Sequence, residues 1–110
     1  MYSILFLKVG EFMLNKVKQS LRISVSTTLF DDEISDLIEQ CKDDLKASGV
    51  SESKLLDDNI DGNITKLIIL YCKAFFGLEN PDKDWFINQY KYKKAETLNQ
   101  LRYTIGDSYV

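Results

Sequence analysis

The stretch DDNIDGNITKLIILYCKAFF, residues 57–76, decides how this chain folds. Its first half carries the letters of a calcium loop. Asp57, Asn59 and Asp61 stand at the first, third and fifth places of the EF-hand pattern, with Gly62 at the turn and Ile64 at the apolar place beyond it. The twelfth place, where two carboxylate oxygens are needed, is Ile68. The segment before the loop, Ser51 to Leu56, is hardly more than one helical turn, and the chain has no second loop to pair with. From the other side, the same letters are a helix start. Asp61 or Asn63 caps ITKLIILYCKAFF, residues 64–76, which is apolar on nearly every side apart from Thr65, Lys66 and Lys73. A helix greasy all round is a central one, buried by its neighbours or by other subunits. Ile64, Ile68 and Ile69 would also suit a buried strand, but the length of the run and the stop at Gly77 favour the helix. Weak calcium binding by Asp57, Asn59 and Asp61 stays as the alternative for the loop.

Upstream, Ile34, Leu37, Ile38, Cys41 and Leu45 fall on one narrow helical stripe. Thr28 or Asp31 is the expected N-cap, Asp31, Asp32 and Glu33 suit the positive end of the helix dipole, and Gly49 stops the helix. Asp32, Asp36, Glu39 and Asp43 lie opposite the stripe and read as a solvated acidic face. Earlier still, Leu14, Val17 and Leu21 mark an amphipathic helix of about ten residues with lysines between them, ending in SVSTT. Leu55 and Leu56 are expected to pin the polar connector between Ser51 and Asp61.

Downstream, Asn80-Pro81 opens a helix with Asn80 at the cap and Pro81 at its first position. It is expected to run to about Leu101, roughly 30 Å. Trp85, Phe86 and Tyr90 occupy its first half, and Ala95, Leu98 and Leu101 its second. Lys91, Lys93 and Lys94 form a basic middle beside Tyr90 and Tyr92. Such lysines either lay their stems over the core rim or dock an acidic partner, such as the acidic helix of a neighbouring copy. From Tyr103 the periodicity ends, yet Tyr103, Ile105, Tyr109 and Val110 remain apolar: a frayed end, or a tail that orders on a partner.

The chain has 110 residues, one domain's length, with 45% apolar and 28% charged side chains. One proline and five glycines are too few breakers for a many-stranded β fold. The expected core comprises Ile34, Leu37, Ile38, Cys41, Leu45, Leu67, Cys72 and Phe75. Cys41 and Cys72 read as reduced core thiols, which suits a reducing cytoplasm. Residues 1–63 hold 7 basic and 12 acidic side chains, a balance of −5, whereas residues 64–110 hold 7 and 5, a balance of +2. That charge offers no surface for sequence-independent nucleic-acid binding.

Residues 1–12, MYSILFLKVGEF, have no basic n-region and no cleavage site, and are too short to span a bilayer. They read as an extended arm, with Tyr2, Ile4 and Phe6 alternating with Ser3, Leu5 and Leu7. The other reading starts translation at Met13, since Gly10-Glu11 is codable by a purine-rich run resembling a ribosome-binding site. There is no histidine, no Gly-rich phosphate loop, no nucleophile elbow and no CxxC pair. Neither an enzyme nor a cofactor is therefore expected. The fold class is all-α: a compact bundle of about four helices with a long C-terminal helix and extended terminal arms. Residues 1–12 are the arm or mis-called start, 13–102 the helical domain and 103–110 the tail.

Four segments together resemble the head–tail connector proteins of tailed bacteriophages: MLNKVKQSLRI, DDEISDLIEQCKDDLKASGV, ITKLIILYCKAFFG and YKYKKAETLNQLR. The likeness covers the chain from about Met13 to Gly106 and rests on the order and spacing of the four rather than on any one motif. It includes the Leu-x-x-Leu-Arg finish, here Leu98, Leu101 and Arg102. The resemblance implies a non-enzymatic structural protein forming a ring of about twelve copies under the portal, in the virion neck after assembly in the host bacterial cytoplasm. Its implied partners are itself, the portal protein and the next neck or tail-completion protein, with DNA passing unbound and no membrane involved. By the same likeness Leu101, Arg102, Tyr103, Ile105 and Tyr109 are portal-binding candidates. From the charge split, Asp36, Glu39 and Asp43 are expected to meet Lys91, Lys93 and Lys94 of a neighbour. Residues before Met13 have no family counterpart, and Asp57 to Gly62 is not a family signature. The alternative is a small helical calcium-binding or regulatory interaction module.

Overall fold

The greasy run is a helix, and three other helices pack on it. The computed structural model describes residues 2–105, with side chains from Gly10 onward. Asp61 is extended (φ −97°, ψ −175°) and its Oδ1 accepts the Ile64 N–H at 3.1 Å, so the chain turns there into α3, Gly62–Phe75. Ile64, Leu67, Ile68, Leu70, Cys72 and Ala74 are buried along it, against α4 (Lys83–Leu98), α2 (Asp31–Ser48) and α1 (Tyr2–Ser20). Phe75, expected in the core, is exposed instead, beside Tyr71 at 4.7 Å and under the Lys83 ammonium at 5.1 Å. It is the last residue of α3.

The α2 stripe Ile34, Leu37, Ile38, Cys41 and Leu45 is buried, and the helix ends at Gly49 with φ 118°, a left-handed turn that a side chain would strain. Its N-terminus departs from expectation. Phe30 holds the cap position without a side-chain bond, and neither Thr28 nor Asp31 caps. Asp31 is drawn off by Lys18, a lysine only 1% exposed, whose ammonium donates to Asp31 Oδ1 at 2.7 Å, Val25 O at 3.0 Å and Thr27 O at 2.5 Å. All three donors are used, which is what lets the charge be buried.

The first helix is 19 residues rather than about ten, because it runs unbroken through the segment expected as an extended arm. That segment holds no proline, and a strand's alternation needs a partner strand to be realised; lacking one, the backbone satisfies its own hydrogen bonds as a helix. The side chains of Tyr2, Ile4 and Phe6 lie outside the described residues. Met13 and Val17 are buried, and Leu14 and Leu21 pack against the core.

At the other end, α4 starts later and stops earlier than expected. Asn80 works in both directions: its Nδ2 donates to Lys73 O (2.6 Å) and Ala74 O (3.3 Å), carbonyls left over at the end of α3, while its Oδ1 accepts the Asp82 N–H at 3.1 Å, as the expected cap would. Asp82 takes the cap position of α4 instead. The expected long helix breaks after Leu98, Gln100 is extended, and a single turn follows, α5 (Leu101–Thr104). The break turns Tyr103 inward, where it is fully buried; a straight helix would carry it away. Leu101 is 71% exposed, Ala95 is exposed and Leu56 is exposed, while Leu55 is buried. Among the described residues there are five α-helices, one 3-10 turn (Glu52–Leu55) and no strand, in a slab of about 42 × 42 × 18 Å.

Candidate assembly surfaces

The calcium letters face three different ways. Asp57 Oδ1 pairs with Lys42 Nζ at 2.6 Å, Asn59 Nδ2 donates to Ser53 O at 2.9 Å, and Asp61 serves the α3 cap and Tyr103. No cluster of three His, Cys, Asp or Glu that could hold a metal occurs among the described residues. Asp61 is instead a structural hub. Tyr103 donates to its Oδ2 at 2.5 Å and accepts from Asn63 Nδ2 at 2.9 Å, while Ser51 N–H donates to the Tyr103 carbonyl at 2.6 Å. Burial pushes the Asp61 carboxyl up, but the bonds from Tyr103 and the Ile64 N–H and the Arg102 charge outweigh it and leave its pKa below the ordinary value. Burial and the same bond push the Tyr103 phenol up.

The basic middle of α4 is divided between inside and outside. Lys93 Nζ donates to Asn63 Oδ1 at 2.9 Å and Glu96 Oε1 at 3.0 Å. Lys94 Nζ meets Asp44 Oδ2 at 3.0 Å, where the Tyr90 hydroxyl also donates at 2.6 Å. These two lysines therefore tie α4 to α3 and α2, and of the three only Lys91 is exposed. Burial raises the Asp44 carboxyl, yet the Tyr90 and Lys94 bonds and the Lys94 charge bring it below its ordinary value. Burial lifts the Tyr90 phenol well above its usual range, and holds the Cys41 and Cys72 thiols up at about 12. Cys41 Sγ lies 3.8 Å from both Leu67 O and Tyr90 Oη, a packed thiol rather than a reactive one. On α2, Asp36, Glu39 and Asp43 are exposed, with Glu39 3.5 Å from Lys42.

At the C-terminal turn Leu101 and Ile105 are exposed, and Arg102 lies over the Tyr103 ring at 4.7 Å. Tyr103 is buried and so leaves the group of freely presented residues, and Tyr109 and Val110 lie outside the described residues. Two features escape the sequence reading. One is an open cleft of about 440 Å³ between α1 and α2, floored by Met13, Leu14 and Ile38 and rimmed by Glu11, Glu39, Lys42 and Asp57. The other is a second aromatic face on α4: Trp85 and Tyr92 are 59% and 79% exposed, opposite the buried Tyr90 and Thr97. The seven-residue step from Trp85 to Tyr92 signals that second face, whereas Phe86 and Tyr90 belong to the inner one.

Fold and surfaces together define a small all-helical protein with several polar side chains bridging its helices and large apolar side chains such as Trp85, Tyr92 and Leu101 exposed. A sequence model of phage connector proteins matches residues 13–104, and the chain belongs to that family, a structural one. The match begins at Met13, the first buried residue among the described side chains, and ends at the last residue of α5. Neither the curated proteins nor the solved structures give a match. No helix among the described residues is long and apolar enough to cross a membrane.

Proposed function

We propose that this connector is a head–tail adaptor of the virion neck, assembled in the host bacterial cytoplasm as a ring of about twelve copies beneath the portal. The observation that carries this reading is the anchoring of α5. Through Tyr103, the turn is bonded to Asp61, Asn63 and Ser51, so Leu101, Arg102 and Ile105 are presented outward from a fixed point on the body. A rigidly placed apolar and cationic turn suits a groove on a larger partner, and little ordering entropy remains to be lost on binding. The partner in this reading is the portal protein, with a neck or tail-completion protein on the opposite side. The exposed acids Asp36 and Asp43 suit a channel wall, since they repel phosphates and let DNA slide without specific binding.

The test is binding to the portal protein of the same phage. Leu101→Asp and Ile105→Asp, both at exposed positions, are expected to weaken it at least about tenfold, or 1.4 kcal/mol, with the far-UV circular dichroism melt unchanged. Portal binding indifferent to both substitutions would remove this reading of α5.

A further inference from the structure

Only one of the two apolar faces of α4 is used within the chain. Tyr90 and Thr97 are buried, and Phe86 and Leu98 pack on the core. Outward, Trp85, Asn88, Lys91, Tyr92 and Ala95 are all exposed, at three- and four-residue steps. Two aromatic rings about 10 Å apart, standing in water on one straight helix, have the composition of an interface centre.

The cleft between α1 and α2 is its counterpart. Its floor is apolar and its rim carries three acids, Glu11, Glu39 and Asp57, against the one cation Lys42. Lys42 is already engaged by Asp57 at 2.6 Å and Glu39 at 3.5 Å. Lys91, beside Tyr92, brings the opposite charge to that rim. Stripe and cleft sit on different helices: α4 packs chiefly on α3, while α1 and α2 pack on each other as well as on α3. One chain thus carries both halves of a complementary pair on separate surfaces. Such a pair permits a head-to-tail contact, in which each copy offers one surface to each neighbour.

We propose that the outer face of α4 of one copy seats in the α1–α2 cleft of a second copy. Trp85 and Tyr92 lie over Met13, Leu14 and Ile38, and Lys91 faces Glu39 and Glu11. With Trp85 59% and Tyr92 79% exposed, the two side chains have roughly 200–350 Å² left to bury, under half of the ~800 Å² per partner of a stable interface. Flanking residues of α4 and α2 supply the rest. This assignment rests on the ring reading above and specifies its subunit contact.

Trp85 is the single tryptophan, so its emission reports the seating directly. The full chain is followed by sedimentation velocity and tryptophan emission from micromolar to millimolar concentration. Self-association with a blue shift of Trp85 is expected. Lys91→Glu and Tyr92→Asp should each raise the Kd at least tenfold while leaving the circular dichroism melt unchanged. Glu39→Lys should weaken association alone and restore part of it when combined with Lys91→Glu. Association with Trp85 still in water, association indifferent to these substitutions, or a chain monomeric at millimolar concentration each overturns the proposal. Portal binding, measured separately, is unaffected by that failure, so the adaptor reading and this contact fall independently.

Discussion

Asp61 shows how much one side chain can organise. It closes the first turn of α3 and, through Tyr103, holds α5 against the body. Asp61→Ala removes the cap and one partner of a buried phenol, and should destabilise the protein by about 2 kcal/mol in urea. The pH dependence follows from the direction of the shift. The folded pKa is depressed below the ordinary 3.8, so the stabilisation is present above that value and is lost as pH falls through the folded pKa. Asp44, depressed by Tyr90 and Lys94, behaves alike. Melting temperature is therefore expected to drop below about pH 4, and the drop should be shallower in Asp61→Ala; an identical acid slope in both chains would refute the linkage. The cap is legible in the letters, because an Asp before a greasy run has one local use. The Tyr103 bond is not, since its partner lies 42 residues away and only the break after Leu98 brings them together.

At the scale of elements, Lys18 decides more than the periodicity of α1 reveals. By spacing it is one of the polar residues between Leu14, Val17 and Leu21, and nothing local marks it as buried. The loop between α1 and α2 folds over it, so the ammonium replaces water for two carbonyls and a carboxylate. Lys18→Met keeps the length but strands those acceptors, and should cost about 3 kcal/mol. Amide exchange in the loop and the first turn of α2 should quicken before that of α3. Equal protection in both proteins would mean that the loop holds without the lysine. The helix ends follow the same logic. The cap at Asp31 looks available in sequence, but the tertiary bond to Lys18 claims that side chain first, whereas Asn80 keeps its Oδ1 on the Asp82 N–H and spends its Nδ2 on the end of α3.

For the whole molecule, the described core and the family match both begin at Met13. Glu11 and Phe12 are exposed, and Gly10 leaves open space around it. A chain started at Met13 keeps every buried residue among the described side chains and is expected to melt within a few degrees of the full one. A loss of more than about 10 °C would place stabilising contacts upstream. By itself the amino-acid sequence determined the helical class, the stripe of α2, the central α3 and its cap, because burial periodicity and capping are local properties of consecutive residues. The tertiary structure alone decided the burial of Lys18 and Tyr103, the division of Lys91 from Lys93 and Lys94, and the exposure of Phe75 and of the outer face of α4. Each depends on whether another element happens to cover that side chain, and coverage is a property of the assembled helices.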